Sequence, residues 1–180
     1  MLPHTSFSTR IDTWLDRIGR ALSWVWFALL IVIVVNVAAR YLFGEGRVEF
    51  EEIQWHLYSG GFLLGLGYAY STDSHVRVDV IHERLSHRHK AWVELYGILL
   101  LLLPFIALIL TFSIPFVIDS FRFAEISQAP GGLPYRWAIK AMLPLGFSLL
   151  LLATLARLHR VWTFLFSTPV TNADEATDER

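Results

Sequence analysis

The sequence predicts an all-α membrane protein of about four transmembrane helices, preceded by an N-terminal amphipathic helix lying in the membrane interface. Three observations lead there. Of 180 residues, 54% are apolar and only 17% are charged, a balance outside that of ordinary soluble domains. Apolar stretches recur at the length of about 20 residues that a helix needs to cross a hydrocarbon core about 30 Å thick. Lys and Arg alternate in number from one connection to the next, as they do around spans of fixed orientation. The formal net charge of -1 gives no overall basic surface for nucleic acid. The chain has no cysteine, which removes disulfides, thiol nucleophiles and thiolate metal sites.

In chain order, residues 1–20 form the expected interfacial element. Ile11, Trp14, Leu15, Ile18 and Leu22 recur at helical spacing, with Asp12, Asp16, Arg17 and Arg20 around the rest of the turn, as in helices that lie among headgroups. A plain extension of the first span would give the same pattern. No short apolar run ends in a small-residue cleavage site, so no removable leader is expected. A transmembrane domain then covers residues 21–162, with spans at about 21–39, 53–70, 93–117 and 138–158, since helices alone satisfy their backbone groups in lipid. Between the second and third spans, Asp79 is placed to cap a short helix through Ile81 and Leu85. Residues 163–180 form a polar cytoplasmic tail, whose last ten residues, TNADEATDER, lack any apolar period.

The first segment, the middle loop and the C-terminal segment hold 10 of the 15 Lys and Arg residues. Cytoplasmic segments are enriched in these cations, so both termini are placed inside. Trp14, Trp24, Trp26, Trp92, Trp137 and Trp162 fall near span ends, where tryptophan anchors helices against lipid.

Polar groups beside a span call for a reason. Asn36 and Arg40 close the first span, where an interhelical hydrogen bond and a snorkelling cation account for them. Glu49, Glu51 and Glu52 precede the second span and suit a helix start. Gly61, Gly65 and Ala69, at intervals of four, put small residues on one face of the second helix and nominate it for close packing. Pro104 and Pro115 interrupt the third span and should bend or loosen it. A haem-bearing membrane anchor of a respiratory enzyme is the competing architecture. It needs axial ligands inside spans, and of the seven histidines only His56 falls in one, close to its start. Motifs of zinc, phosphate-loop and serine-nucleophile chemistry are missing from the sequence, so no catalytic residue and no cofactor is assigned.

Two segments carry a family likeness. One runs from Glu52 and Trp55 through the glycine-rich span to HVRVDV at residues 75–80; the other runs from Glu125 and Ser127 through PGGLPYRW at residues 130–137 to Lys140, Pro144 and Gly146. With the four-span plan, they resemble the small membrane subunit, DctQ-like, of tripartite ATP-independent periplasmic (TRAP) transporters, in the branch associated with mannitol or chloroaromatic compounds. The resemblance implies a multi-pass protein of the bacterial inner membrane that is not an enzyme. It would scaffold a large sodium-coupled membrane subunit importing an organic acid or related solute delivered by a periplasmic solute-binding protein. It also makes Glu52, Arg77, Asp79, Pro134, Lys140 and Pro144 motif positions that fix loops and interfaces. Gly131 and Gly132, in the turn-rich periplasmic loop, become a candidate contact for the binding protein, although a purely structural turn would use the same residues. Membrane lipids are the remaining expected partner.

Overall fold

The computed structural model describes residues 6–44, 46–74 and 86–167. Helix α1 spans Ser6–Phe43 and α2 spans Val48–Ser71. The third rod begins as α3, His87–Gly97, passes through a π-helical turn at Ile98–Leu102 and continues as α4, Leu103–Arg122. Helix α5 spans Arg136–Phe166. Three of these rods, within Ser8–Phe43, His87–Arg122 and Arg136–Phe166, are long and apolar enough to cross a membrane. Helix α2, expected as the second span, has 24 residues and so the length, but its glycines, serine and amino-terminal glutamates dilute its apolarity. Its position explains the tolerance: it packs between α1 and α5, and only the stripe Trp55, Tyr58 and Phe62 is well exposed on its apolar part.

Residues 1–20 were expected to form an element of their own, yet α1 runs on past residue 20 without a break. One side of it meets protein: Leu15 and Ser8 are buried, Gly19 lies against Tyr68 of α2, and Asp12 pairs with Arg160 of α5 at 3.1 Å, while Trp14 stays exposed. The Asp79-capped helix and the tail residues 168–180 lie outside the described residues. Helix α3 is capped by Ser86, whose hydroxyl accepts from the His89 N–H.

Helix α5 is the hub, touching α1, α2, α3 and α4. Its middle builds one core, Ile106, Phe147 and Leu150 with Leu63, Leu66 and Leu143 around them. Near its C-terminal end Val161 packs with Ala91 and Leu95 of α3. Helices α2 and α5 approach each other closely. A Cβ on Gly146 would sit 2.4 Å from the Leu63 carbonyl oxygen, and one on Gly67 would sit 2.8 Å from the Leu149 carbonyl carbon, so each position accepts hydrogen only. Among the face nominated from sequence, Gly61 abuts Val25 and Trp26 of α1, whereas a Cβ on Gly65 would meet nothing within 4 Å and Ala69 is half-buried. Gly60 and Gly67, seven apart and so on one face of α2, point to α5 instead, Gly60 towards Met142.

The third rod takes its irregularity from Pro104, which lacks an N–H and whose ring collides with the carbonyl four residues back in a regular helix. The π turn widens the helix just there, with the Leu103 N–H bonded back to the Ile98 carbonyl. Pro115 remains inside α4, and Pro144 inside α5. The bundle has two polar ends. The start of α1, the end of α2, the start of α3 and the end of α5 meet at one, where Arg157 pairs with Glu94 and with Asp73 at 3.7 Å. The other holds the α1–α2 turn and the α4–α5 loop.

Candidate functional site: the clamped loop

The α4–α5 loop, residues 123–135, carries the PGGLP sequence and is held in shape by short-range bonds. The Ser127 N–H donates to the Leu133 carbonyl at 3.2 Å, the Gly132 N–H to Ala129 at 2.9 Å, and the Arg136 N–H to Glu125 at 3.1 Å. Turn backbone of this kind demands unusual torsions: Gly131 has φ +78°, while Ala124 and Tyr135 are left-handed without being glycine. Pro134 is exposed and leads directly into Tyr135, the residue before α5.

Glu52, on the first turns of α2 and outside the apolar stretch 53–70, reaches into this loop. One carboxylate oxygen accepts from the Ser127 hydroxyl and the other from the Leu133 N–H at 2.6 Å. The fit excludes any side chain at Gly132, whose Cβ would lie 2.4 Å from the Ser127 Cβ and 2.9 Å from a Glu52 oxygen. These two donors, the Ser127 hydroxyl first and the Leu133 amide second, hold the Glu52 carboxyl below its ordinary value. A second clamp lies beside it. Lys140, in the first turns of α5, pairs with Glu125 and sits 4.0 Å over the Phe116 ring of α4. The hydrogen bond from Lys140 depresses the Glu125 carboxyl likewise. Arg136 stands 3.7 Å from the same carboxylate.

Beneath the loop a cleft of 290 Å³ opens between α2 and α5, lined by Glu52, Trp55, His56, Ser59, Ser127 and Arg136 among others. The chemistry available is that of a brace. Carboxylates held in the charged form by donors are weak proton acceptors, and both are spent on fixing the loop. Among the described residues no group of three His, Asp or Glu is arranged to hold a metal ion.

The structure therefore brings together Glu52, Gly131, Gly132, Pro134 and Lys140 at one end of the bundle. Pro144 lies one turn further along α5, half-buried, with its carbonyl accepting from the Ser148 hydroxyl at 2.7 Å. Arg77 and Asp79 lie outside the described residues. Two features escaped the sequence reading. Gly60 and Gly67 stand out in the sequence as further small surface on the second span, but the tight pairing of that helix with α5, Gly67 against Leu149 and Gly146 against Leu63, was not foreseen. Arg157 and Arg160, counted from sequence only as positive charge, are partners of Glu94 and Asp12; their three-residue spacing on an apolar helix hinted at acidic residues opposite.

No curated protein matches the chain in sequence. The family model described as "Tripartite ATP-independent periplasmic transporters, DctQ component" matches residues 29–164, from the middle of α1 almost to the end of α5, and includes both clamps and the PGGLP loop. The chain accordingly belongs to the DctQ family, the small membrane component of the tripartite ATP-independent periplasmic transporters.

Proposed function

We propose that this protein is the non-catalytic scaffold of its transporter: a four-span subunit, α2 included, that packs against the large sodium-coupled subunit and holds it while an organic acid or related solute crosses. Both termini face the cytoplasm, following the distribution of Lys and Arg. The clamped loop then faces the periplasm, where the solute-binding protein docks, and Gly131 and Gly132 shape the surface offered to it. The motif PGGLPYRW favours the mannitol or chloroaromatic branch for the solute.

The observation that carries this reading is the use to which the polar residues are put. Glu52, Glu125 and Lys140 tie α2, α4, α5 and the loop to one another, which makes a rigid body rather than a moving one. A scaffold needs that rigidity because its partner is the element that moves. The test is to delete this chain from cells producing the large subunit, and to measure the amount of large subunit in the membrane. The scaffold reading expects its level to fall and to recover when the chain is supplied in trans. An unchanged level, with uptake also unchanged, would remove the reading.

A further inference from the structure

The α1–α2 corner, at the same end of the bundle as the clamped loop but on the opposite side of Trp55, contains polar groups that no function given above uses. Asn36 is 6% exposed, and its side-chain carbonyl oxygen has no hydrogen-bond partner among the described residues. Almost two turns into α2, the Gln54 side-chain nitrogen is likewise buried without one. An unsatisfied polar atom is expensive, and more so at the edge of a hydrocarbon layer. Both residues line a cleft of 450 Å³, together with Val37, Arg40, Tyr41, Glu51 and Trp55. At its rim Arg40 and Glu51 pair at 2.5 Å, each about half exposed.

This wall offers an acceptor and a donor in need of partners, backed by one cation and one anion. Each helix contributes to both halves of the set: Asn36 and Arg40 from α1, Gln54 and Glu51 from α2. The matching ligand has a negative group and, a short distance away, a positive group that can donate hydrogen bonds. Its source is indicated by the surroundings. Tyr41 and Trp55 are well exposed at the cleft mouth, and below it Val34 and Val37 present an open apolar strip on α1, along which an acyl chain can lie.

We propose that this cleft is a binding site for the headgroup of phosphatidylethanolamine. The phosphate bridges Arg40 and the Gln54 amide nitrogen, and the ammonium bridges Glu51 and the Asn36 carbonyl oxygen, so the lipid ties α1 to α2. Arg40 and Glu51 retain their mutual contact, having donors and oxygens to spare. Phosphatidylcholine, whose quaternary ammonium has no N–H, cannot satisfy Asn36. Phosphatidylglycerol, with no cation, leaves Glu51 facing a second negative charge.

The experiment is native mass spectrometry of the full-length chain, delipidated in mild detergent and titrated with each of these three lipids carrying identical acyl chains. The site predicts that phosphatidylethanolamine binds about tenfold more tightly than phosphatidylcholine, the effect of one charge-assisted hydrogen bond, and more tightly than phosphatidylglycerol. Asn36→Leu should erase most of the preference over phosphatidylcholine, whereas Gln54→Met, which removes a phosphate contact, should weaken all three lipids by about tenfold; the second keeps side-chain length and carries the test should the first fail to fold by circular dichroism. Equal binding of the three lipids, a preference over phosphatidylcholine that survives Asn36→Leu, or lipid binding left unchanged by Gln54→Met, overturns the proposal. So does tighter binding of phosphatidylglycerol. A photo-crosslinker at Tyr41 supplies the remaining arm in native membranes: a lipid adduct agrees with the site, and a protein adduct shows that another subunit covers the cleft and overturns it.

Discussion

Replacing Glu52 with Gln changes one oxygen to an amide nitrogen and removes a charge, while leaving the volume of the side chain intact. In the structure the two Glu52 oxygens accept from the Ser127 hydroxyl and from the Leu133 N–H at 2.6 Å. A glutamine accepts from the Leu133 N–H through its oxygen, and the Ser127 hydroxyl turns to accept from its amide nitrogen, so both bonds remain but each loses its charge assistance. Each bond falls from about 1.5–3 kcal/mol to the about 0.5–1.5 kcal/mol of a neutral pair, and about 1.4 kcal/mol corresponds to a factor of ten. Local opening of the loop should therefore become about 10- to 150-fold more frequent. Hydrogen–deuterium exchange of the full-length chain in detergent reads this directly through peptides covering residues 125–135. Faster exchange is expected there, while peptides over the core at Phe147 and Leu150 keep their rates. Unaltered loop exchange would refute the clamp, and a uniform acceleration along the chain would mean that Glu52 supports the whole bundle rather than the loop.

Further consequences follow from the same geometry. Gly146→Ala puts a methyl group against the Leu63 backbone, so thermal unfolding in detergent should show a loss of about 1–3 kcal/mol; Gly65→Ala, where space is open, should show none. Gly131→Ala strains a left-handed turn and Gly132→Ala collides with Ser127, so loop exchange should quicken in both, more in the second. Arg160→Met leaves Asp12 without its buried partner and should cost about 3 kcal/mol, recovered in part by adding Asp12→Asn; equal losses in the single and double variants would contradict the pairing. Glu52 and Glu125 have folded pKa values below the ordinary value of 4.5, so the stabilisation they give is complete above that pH. It should be lost as pH falls through their lower folded values, which exchange of the loop across an acid series would reveal.

The membrane character and helical layout were legible because apolar runs of span length have few other uses, and Pro104 signalled the irregularity of the third rod, while Pro115 sits inside a continuous helix. The site was half legible. Glu52, Lys140, Gly131, Gly132 and Pro134 carried a family resemblance, but what Glu52 does depends on a loop some 75 residues away, and no local pattern encodes that meeting. The small-residue reading put the second helix in a tight interface and noted Gly60 and Gly67 beside Gly61, Gly65 and Ala69, but the spacing of four ranked Gly65 above Gly67, and only the fold shows Gly67 and Gly146 at the close approach. The N-terminal amphipathic face was legible as a face; its partner was not, because Asp12 and Leu15 serve as well against a protein helix as against headgroups. Asn36, expected to bond another helix, has an oxygen without a partner among the described residues, in a cleft.

The central claim is that this subunit scaffolds a larger transporter subunit. Its most direct test is affinity purification of the tagged chain from mildly solubilised native membranes, identifying co-purifying proteins and recording the visible spectrum. The account predicts recovery of a large polytopic transporter subunit in fixed proportion, without a haem band. Recovery of a flavin or iron–sulfur subunit with a haem band, or of this chain alone, would contradict it.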